Sequence, residues 1–413
     1  MLLLANPVRD YAWGAADGLA RLLGTEPTGG PEAELWVGAH PGSPSRLPDG
    51  RPLGQEVEAD PQAVLGPAVV ERYGPRLPFL LKILAIGGPL SIQLHPSPEQ
   101  ARAGWDREEE AGIPLDAPTR TYRDPYAKPE VLVALEPTWV LTGFRTGAAA
   151  AAALGALDDP AVAALADRVR AEPDARLALE ALLAATGEAA GALADAAARA
   201  GGVAPAVEGS DDRPGPAPAD PGSAADPVAA WTRRLAAAFP GDPTALAPCV
   251  LELRRLEPGE GVFLPAGVPH AYLEGAGVEL MAASDNVVRG GLTPKHVDRA
   301  ELARLLAPAG TGVALLPGDG EEGGAVAYRP PVPEIALRRV DLDGDPVPAP
   351  VAGPGPALVL ATEGEVTVSA GAEAVTLGAG RAVLVPAAQR DGCRLAGRGT
   401  AWWATVGSDP SAS

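Results

Sequence analysis

The chain has 413 residues, enough for two or three domains with a sizeable core. Hydrophobic residues make up 46% and charged residues 21%, which excludes wholesale disorder, while 50 glycines and 46 prolines disfavour an all-helical fold. A net charge of −20 repels nucleic acid and anionic lipid, so neither is an expected partner, and any anionic substrate must be held by local cations.

The N-terminal apolar run, Met1 to Ala5, is too short for a signal peptide or a membrane span and has no basic flank. With only two cysteines, Cys249 and Cys393, a disulfide framework is excluded, and both read as buried small hydrophobes of a cytoplasmic protein.

Residues 1–145 alternate short apolar stretches, such as Leu77–Ile86 and Val131–Leu135, with Gly and Pro breakers. That pattern predicts a many-stranded β architecture. Residues 146–200 change character and become Ala-rich. Asp159-Pro160 is an N-cap followed by proline at the first helical position. Val162, Leu165 and Val169 then share a helix face, as do Leu179, Leu182 and Leu183. Residues 201–226 carry almost no large apolar side chains and read as a flexible loop. A further helix is expected from about Pro227 to Phe239, with Trp231 and Leu235 on one face.

From Pro248 the β pattern returns. Residues 308–330 read as a linker, and the tail after Gly407 as frayed. Residues 256–266 align weakly with 377–387: each has a glycine turn, a hydrophobic run and then Pro-Ala. Two related β-barrels are therefore expected. The first copy continues to His270 and the second to Asp391, so a metal held through His270 would be confined to the first barrel.

Four histidines limit any metal site to few candidates: His40, His95, His270 and His296. In the run Ser91-Ile92-Gln93-Leu94-His95-Pro96, strand alternation puts Ser91, Gln93 and His95 on one face and Ile92 and Leu94 on the other. A polar triplet facing inward needs a metal or polar ligand; facing outward it is an ordinary edge strand. Lys128 and Glu130, also two apart, precede the apolar run Val131–Leu135. They form either a tuned buried pair or a surface ion pair. The segment Gly261–Glu274 enters a Pro-Ala-Gly-Val-Pro turn that presents His270 at the start of a strand. Arg289, flanked by Gly290-Gly291, is suited to an anion or to a structural carboxylate partner.

Together Gln93, His95, Glu130 and His270 could supply two imidazoles, a carboxylate and an amide oxygen. Nitrogen and oxygen donors without thiolate suit Zn²⁺, with Fe, Co or Mn also compatible. His40 and His296 have no ligand partner nearby in sequence and are read as non-ligands.

Four stretches in this order resemble the type I phosphomannose isomerases. They are Asn6-Pro7 with Tyr11-Ala12-Trp13-Gly14; Ser91 to Pro96; Asp124 with Lys128-Pro129-Glu130; and Pro265 to Tyr272 through Asp285 to Lys295. The resemblance implies two cupin-type jelly-roll barrels with a helical domain inserted. It implies a catalytic barrel of residues 1–145 and 240–307, a helical insert of 146–239, and a C-terminal barrel of 308–413 without metal. It implies one zinc ion on Gln93, His95, Glu130 and His270. Lys128, Asp285 and Arg289 are the implied catalytic residues, and Ser91, Lys295, Glu279 and Trp13 the implied substrate contacts. The implied reaction interconverts mannose 6-phosphate and fructose 6-phosphate through a cis-enediol(ate), as a step of mannose activation by a monomer acting on a small sugar phosphate. A cupin metal oxygenase and a non-catalytic sugar-binding cupin are the competing readings. The first needs open positions on iron, which Gln93 as a fourth ligand disfavours. The second would be expected to lose Lys128, Asp285 or Arg289, and all three are present.

Overall fold

The strand-forming runs pair into two antiparallel sheets, and the Ala-rich segment folds as helices beside them. The computed structural model describes residues 1–201, 224–321, 323–350 and 353–408. The predicted loop 201–226 and the predicted frayed tail after Gly407 lie largely outside these residues.

The larger sheet runs Leu315–Leu316, Gly261–Leu264, Glu130–Ala134, His270–Ala282, Phe79–Ile86, Glu34–Val37, Val8–Arg9. One strand, His270–Ala282, organises it. Its second half is paired on both edges, so that Glu279 stands opposite Lys82 on one side and Leu132 on the other. Its first half leaves that layer: His270 stands opposite Thr142 on one edge and Gln93 on the other. The change of partners falls at Gly275, whose φ of 125° is closed to other residues. A Cβ there would lie 2.5 Å from the Thr138 hydroxyl oxygen.

Alternation along these strands separates two environments. Leu81, Ile83, Val131, Val133, Val278 and Leu280 enter a core shared with Leu358, Leu384 and Trp402 of the second sheet. The opposite face carries Leu84, Leu132, Val262, Leu264 and Tyr272. The polar residues of the site lie on that opposite face.

The second sheet runs Leu2–Leu4, Ala382–Val385, Ala357–Ala370, Arg394–Thr405, Ala336–Pro348, Ala325–Tyr328, Asp319–Gly320, with Glu373–Gly378 paired to Ala357–Ala370. The first strand of the chain thus belongs to the sheet formed by its last residues, with Leu3 opposite Val383. The segment 308–330 is not a plain linker. Leu315–Leu316 extends the larger sheet against Gly261 and Val262, and Asp319–Gly320 with Ala325–Tyr328 makes an edge hairpin of the second. These strands are only two to four residues long. That is too short for periodicity to register.

The Ala-rich segment forms Gly147–Gly155, Pro160–Val169, Arg176–Ala184, Gly187–Ala198 and Pro227–Ala238. The Asp159 carboxylate accepts the Ala161 N–H, and that of Asp226 accepts those of Val228 and Ala229. Leu165, Val169, Leu179, Leu182, Trp231 and Leu235 share one core with Ile92, Leu94 and Leu141 of the strands. The helices therefore cover the outer side of the strand that carries Gln93.

Residues 1–145 are more helical than expected. Helices occupy Leu53–Ala59, Pro61–Leu65, Pro67–Tyr73 and Pro98–Glu110. The last has a complete capping box between Ser97 and Gln100 with Pro98 at its first turn. That start signal was present in the sequence.

Gly275→Ala should destabilise the chain by more than about 1 kcal/mol, because φ is positive and the space is filled. Thermal unfolding measures it. Gly371→Ala, at φ 60° with nothing within 4 Å, isolates the backbone cost and should lower the midpoint less.

Candidate metal centre

Three strand ends bring His95, Glu130 and His270 together. His270 opens the long strand after the Pro265–Pro269 turn. Glu130 opens its own strand opposite Met281. His95 follows Gln93–Leu94 and is tied to the turn, its carbonyl accepting the Gly267 N–H at 2.8 Å. All three residues are buried, and their ligand atoms lie within 4.8 Å of one another. Glu130 Oε2 is 3.3 Å from His95 Nε2 and 3.4 Å from His270 Nε2. Ile92 and Leu94 are fully buried in the helical core, so Gln93 and His95 face inward as alternation required.

The imidazole protons are assigned by their neighbours. His95 Nδ1 is 2.7 Å from the Asn286 carbonyl oxygen, and His270 Nδ1 is 3.1 Å from that of Val268. Each Nδ1–H therefore donates, and each Nε2 presents a lone pair inward. Both Nε2 atoms are buried without a hydrogen-bond partner. Burial pushes the His95 pKa down to about 4, so the ring is neutral at pH 7. Burial alone would raise Glu130, but the Lys128 ammonium, 2.7 Å from its Oε1, and the imidazoles hold it well below the usual carboxylate range. Two lone pairs and a carboxylate, buried and aimed at one point, cost about 1–3 kcal/mol per unsatisfied group unless something accepts them. A divalent transition metal does so, and the donor set fits one.

A second buried charge cluster adjoins this one. Lys82 stands opposite Glu279 across the sheet, with Nζ 3.2 Å from Glu279 Oε2 and 3.8 Å from Glu34 Oε1. The Tyr272 hydroxyl donates to Glu279 Oε1 at 3.1 Å. Burial would lower the Lys82 pKa, but Glu34, Glu279 and Glu130 together raise it, so the ammonium stays charged. Burial raises the Glu279 carboxyl, in spite of Lys82. Of this cluster Glu279 was legible in the sequence, and Lys82, Glu34 and Tyr272 were not. A lone lysine inside the apolar run Leu80–Leu84 was the available signal.

A cavity of about 710 Å³ reaches this region, lined by Trp13, Glu34, Ser91, Gln93, Arg289 and Lys295 among others. Arg289 stands opposite Gln93, which stands opposite His270, so three candidate site residues occupy one cross-strand row. Among the described residues neither Arg289 nor Lys295 has a carboxylate partner. Burial, and the charge of Arg123, lower the Arg289 pKa.

Asp285 lies within reach of the charges of Lys128 and Lys82. It lines a neighbouring cavity of about 350 Å³ with His40, Arg76, Arg123 and Asp124, and its Oδ1 is 3.1 Å from His40 Nε2. Burial raises its carboxyl, but His40, Lys128 and Lys82 bring it below the ordinary value. His296 is exposed, and neither it nor His40 joins the metal-type cluster.

Asn286 was also missed. Its Oδ1 accepts the Arg123 N–H at 2.8 Å, and its Nδ2 donates to the carbonyls of Asp124 at 2.7 Å and Tyr126 at 2.8 Å. Its own carbonyl fixes His95. One buried side chain thus clasps the loop leading to Lys128 and Glu130 onto the segment that orients His95.

The chain is similar to known proteins in sequence and fold. Residues 1–147 match the phosphomannose isomerase type I catalytic domain. The mannose-6-phosphate isomerase of Escherichia coli (strain K12) is 34% identical over 397 residues, covering 94% of this chain and 95% of that protein. The Homo sapiens enzyme of the same name is 32% identical over 365 residues, covering 83% and 82%. A crystal structure of mannose 6-phosphate isomerase from Salmonella typhimurium, bound to fructose 6-phosphate and zinc, superposes with a TM-score of 0.84 at 30% identity, covering 99% of this chain and all of that one.

Asn286→Ala keeps the carbonyl that holds His95 but removes the clasp that places it, and should raise the dissociation constant for a divalent transition metal by up to the roughly 10- to 100-fold that an orienting partner of a ligating histidine contributes. Competition against a chromophoric chelator reads it directly. Unchanged affinity would mean that the clasp does not orient His95.

Proposed function

The chain belongs to the type I phosphomannose isomerases, and on that premise we propose that it interconverts D-mannose 6-phosphate and D-fructose 6-phosphate through a cis-enediol(ate). One observation carries the reading: among the described residues, two partnerless imidazole nitrogens and a carboxylate converge beside a cavity whose Arg289 and Lys295 lack carboxylate partners. In a chain of net charge −20, such cations mark where an anionic substrate is held.

Gln93, His95, Glu130 and His270 would hold one Zn²⁺, other divalent transition metals also suiting the set. When bound, the ion supplies Lewis acidity to the sugar oxygens on which negative charge develops. Lys128 orients Glu130 through its ion pair. Arg289, permanently charged and half-buried, stabilises the enediolate more than the ground state. Lys295 and Ser91 bind the phosphate end, and Trp13, stacked on Tyr11 with ring centroids 5.9 Å apart, walls the sugar. Proton transfer needs two groups whose pKa values are pushed apart. Asp285, held ionised, takes the proton from C2. Glu279, buried between the Lys82 ammonium and the Tyr272 hydroxyl, is the second proton carrier, serving C1.

The two sheets correspond to two cupin-type barrels. Residues 1–145 and 240–307 form the catalytic unit, 146–239 the helical insert and 308–413 a metal-free barrel, with Leu2–Leu4 and Leu315–Leu316 each crossing to the other unit's sheet. The aligned segments support this: Gly261–Leu264 and Ala382–Val385 are strands with the same Pro-Ala exit. Among the described residues no helix is long and apolar enough to cross a membrane. We read the chain as a cytoplasmic monomer acting on a small sugar phosphate.

Isomerisation of mannose 6-phosphate should vanish on chelation and return with Zn²⁺. Metal binding without fructose 6-phosphate formation would overturn the assignment. Arg289→Ala should lower kcat by about 10²- to 10³-fold, the loss expected for an oxyanion-stabilising group. Solvent-deuterium incorporation at C2 and C1 should be suppressed in Asp285→Ala and Glu279→Ala and retained more fully in Lys128→Ala. Full-rate exchange in either carboxylate variant removes that residue from the proton path.

A further inference from the structure

His40 serves neither the metal-type cluster nor the larger cavity, yet it is almost fully buried, its side chain 10% exposed. Both ring nitrogens are engaged. Nδ1 accepts the Gly42 N–H at 3.1 Å, so in the neutral ring the proton sits on Nε2. Nε2–H then donates to Asp285 Oδ1 at 3.1 Å. The ring edge packs on Trp36, with centroids 5.0 Å apart and planes at 85°. Trp36 is in turn fixed: its N–H donates to Glu34, and the Lys82 ammonium lies 4.9 Å from its ring centroid. Asp285 is held at its main chain, where its N–H donates to Asp124 Oδ2 at 2.8 Å. Among the described residues its carboxylate has one hydrogen-bond partner, His40.

We propose that His40 is a positioning residue: its Nε2–H fixes the Asp285 carboxylate in the orientation from which it exchanges a proton with the sugar. The inference rests on the reading of Asp285 as the proton-accepting group. The same bond links Asp285 through Trp36 to the Lys82–Glu34–Glu279 cluster, so both proposed proton carriers are braced by one wall of side chains.

The pH dependence follows from the groups facing Asp285. His40 lies on one side and Asp124 at its backbone. The charges of Lys128 and Lys82 reach it, and Arg76, Arg123, Glu58 and Tyr126 line the adjoining cavity. Burial drives the carboxyl upward and His40 is the leading opposing influence. Without His40 the carboxyl pKa rises. The acidic limb of kcat/KM, which reports loss of the ionised base, then moves to higher pH.

The test compares His40→Leu, which keeps bulk against Trp36 but no donor, with His40→Gln, which keeps an N–H donor. In the zinc-loaded full chain, His40→Leu should lose on the order of tenfold or more in kcat, within the roughly 10²- to 10⁴-fold that general acid–base catalysis contributes. KM and metal content should change little, and the acidic limb should move upward. His40→Gln should recover most of both effects. A merely structural role would not move the limb selectively. An unmoved limb and unchanged kcat in His40→Leu, with Asp285→Ala inactive, overturns the positioning role and leaves Asp285 in place. Full activity in Asp285→Ala overturns the reading of Asp285 and the inference with it. Should His40→Leu fail to fold, the wild-type chain still decides, because four histidines are few enough to assign by ¹⁵N NMR. A proton on His40 Nε2 supports the proposal, and an Nε2 without one overturns it.

Discussion

Burying Glu130 between two imidazoles is the constraint on which the rest depends. A carboxylate removed from water is costly, and here the cost is offset by Lys128 at 2.7 Å and by the two rings. The rings in turn are oriented by backbone carbonyls, which leaves their remaining nitrogens without partners. Such an arrangement is stable as a set and poor in parts. A metal ion completes it, because it accepts the two lone pairs and neutralises the carboxylate at once. The nearby lysine–glutamate cluster follows the same logic: Lys82 remains charged only because carboxylates surround it.

The fold delivers this set through one strand. His270–Ala282 begins at a candidate metal ligand, bends at Gly275 and carries Glu279 into the buried charge cluster. Its neighbours then set everything else by register. Gln93 and Arg289 fall in a row with His270, and Lys82 falls beside Glu279. A slip of one residue would turn Lys82 and Glu279 into the apolar core shared by the two sheets, or Gln93 and Arg289 into the core under the helices. The helices close the other side, where Ile92 and Leu94 anchor the short strand that bears Gln93.

Much of the site was legible because alternation is a strong rule over short distances. Ser91, Gln93 and His95 against Ile92 and Leu94, and Glu130 before an unbroken apolar run, needed only period two. The helices of 146–239 were legible from Asp159-Pro160 and the Leu and Val spacing. What escaped did so for physical reasons. The strands of 308–330 are too short to show a period. The helix Pro98–Glu110 announces itself by Ser97-Pro98 and Gln100, but its exposed face is charged and its apolar content low. Lys82 hides because a buried lysine looks like an error in a strand until its carboxylate partners, 48 and 197 residues away in Glu34 and Glu279, are placed beside it. His40 was set aside for the same reason, since Asp285 is 245 residues distant. Partners that meet only through tertiary structure leave no local pattern.

The net charge of −20 and the cationic lining of the larger cavity are compatible only if the cations are local and unpaired, as Arg289 and Lys295 are among the described residues. The central claim remains the metal set. X-ray absorption at the zinc edge, on chain loaded with one equivalent of Zn²⁺, tests it most directly. The account predicts nitrogen and oxygen ligands only, at about 2.0–2.2 Å, with the scattering of two imidazoles and no sulfur near 2.3 Å. Loss of one imidazole in His270→Ala should follow. A sulfur shell, or a spectrum unchanged in that variant, would place the metal elsewhere and contradict the account.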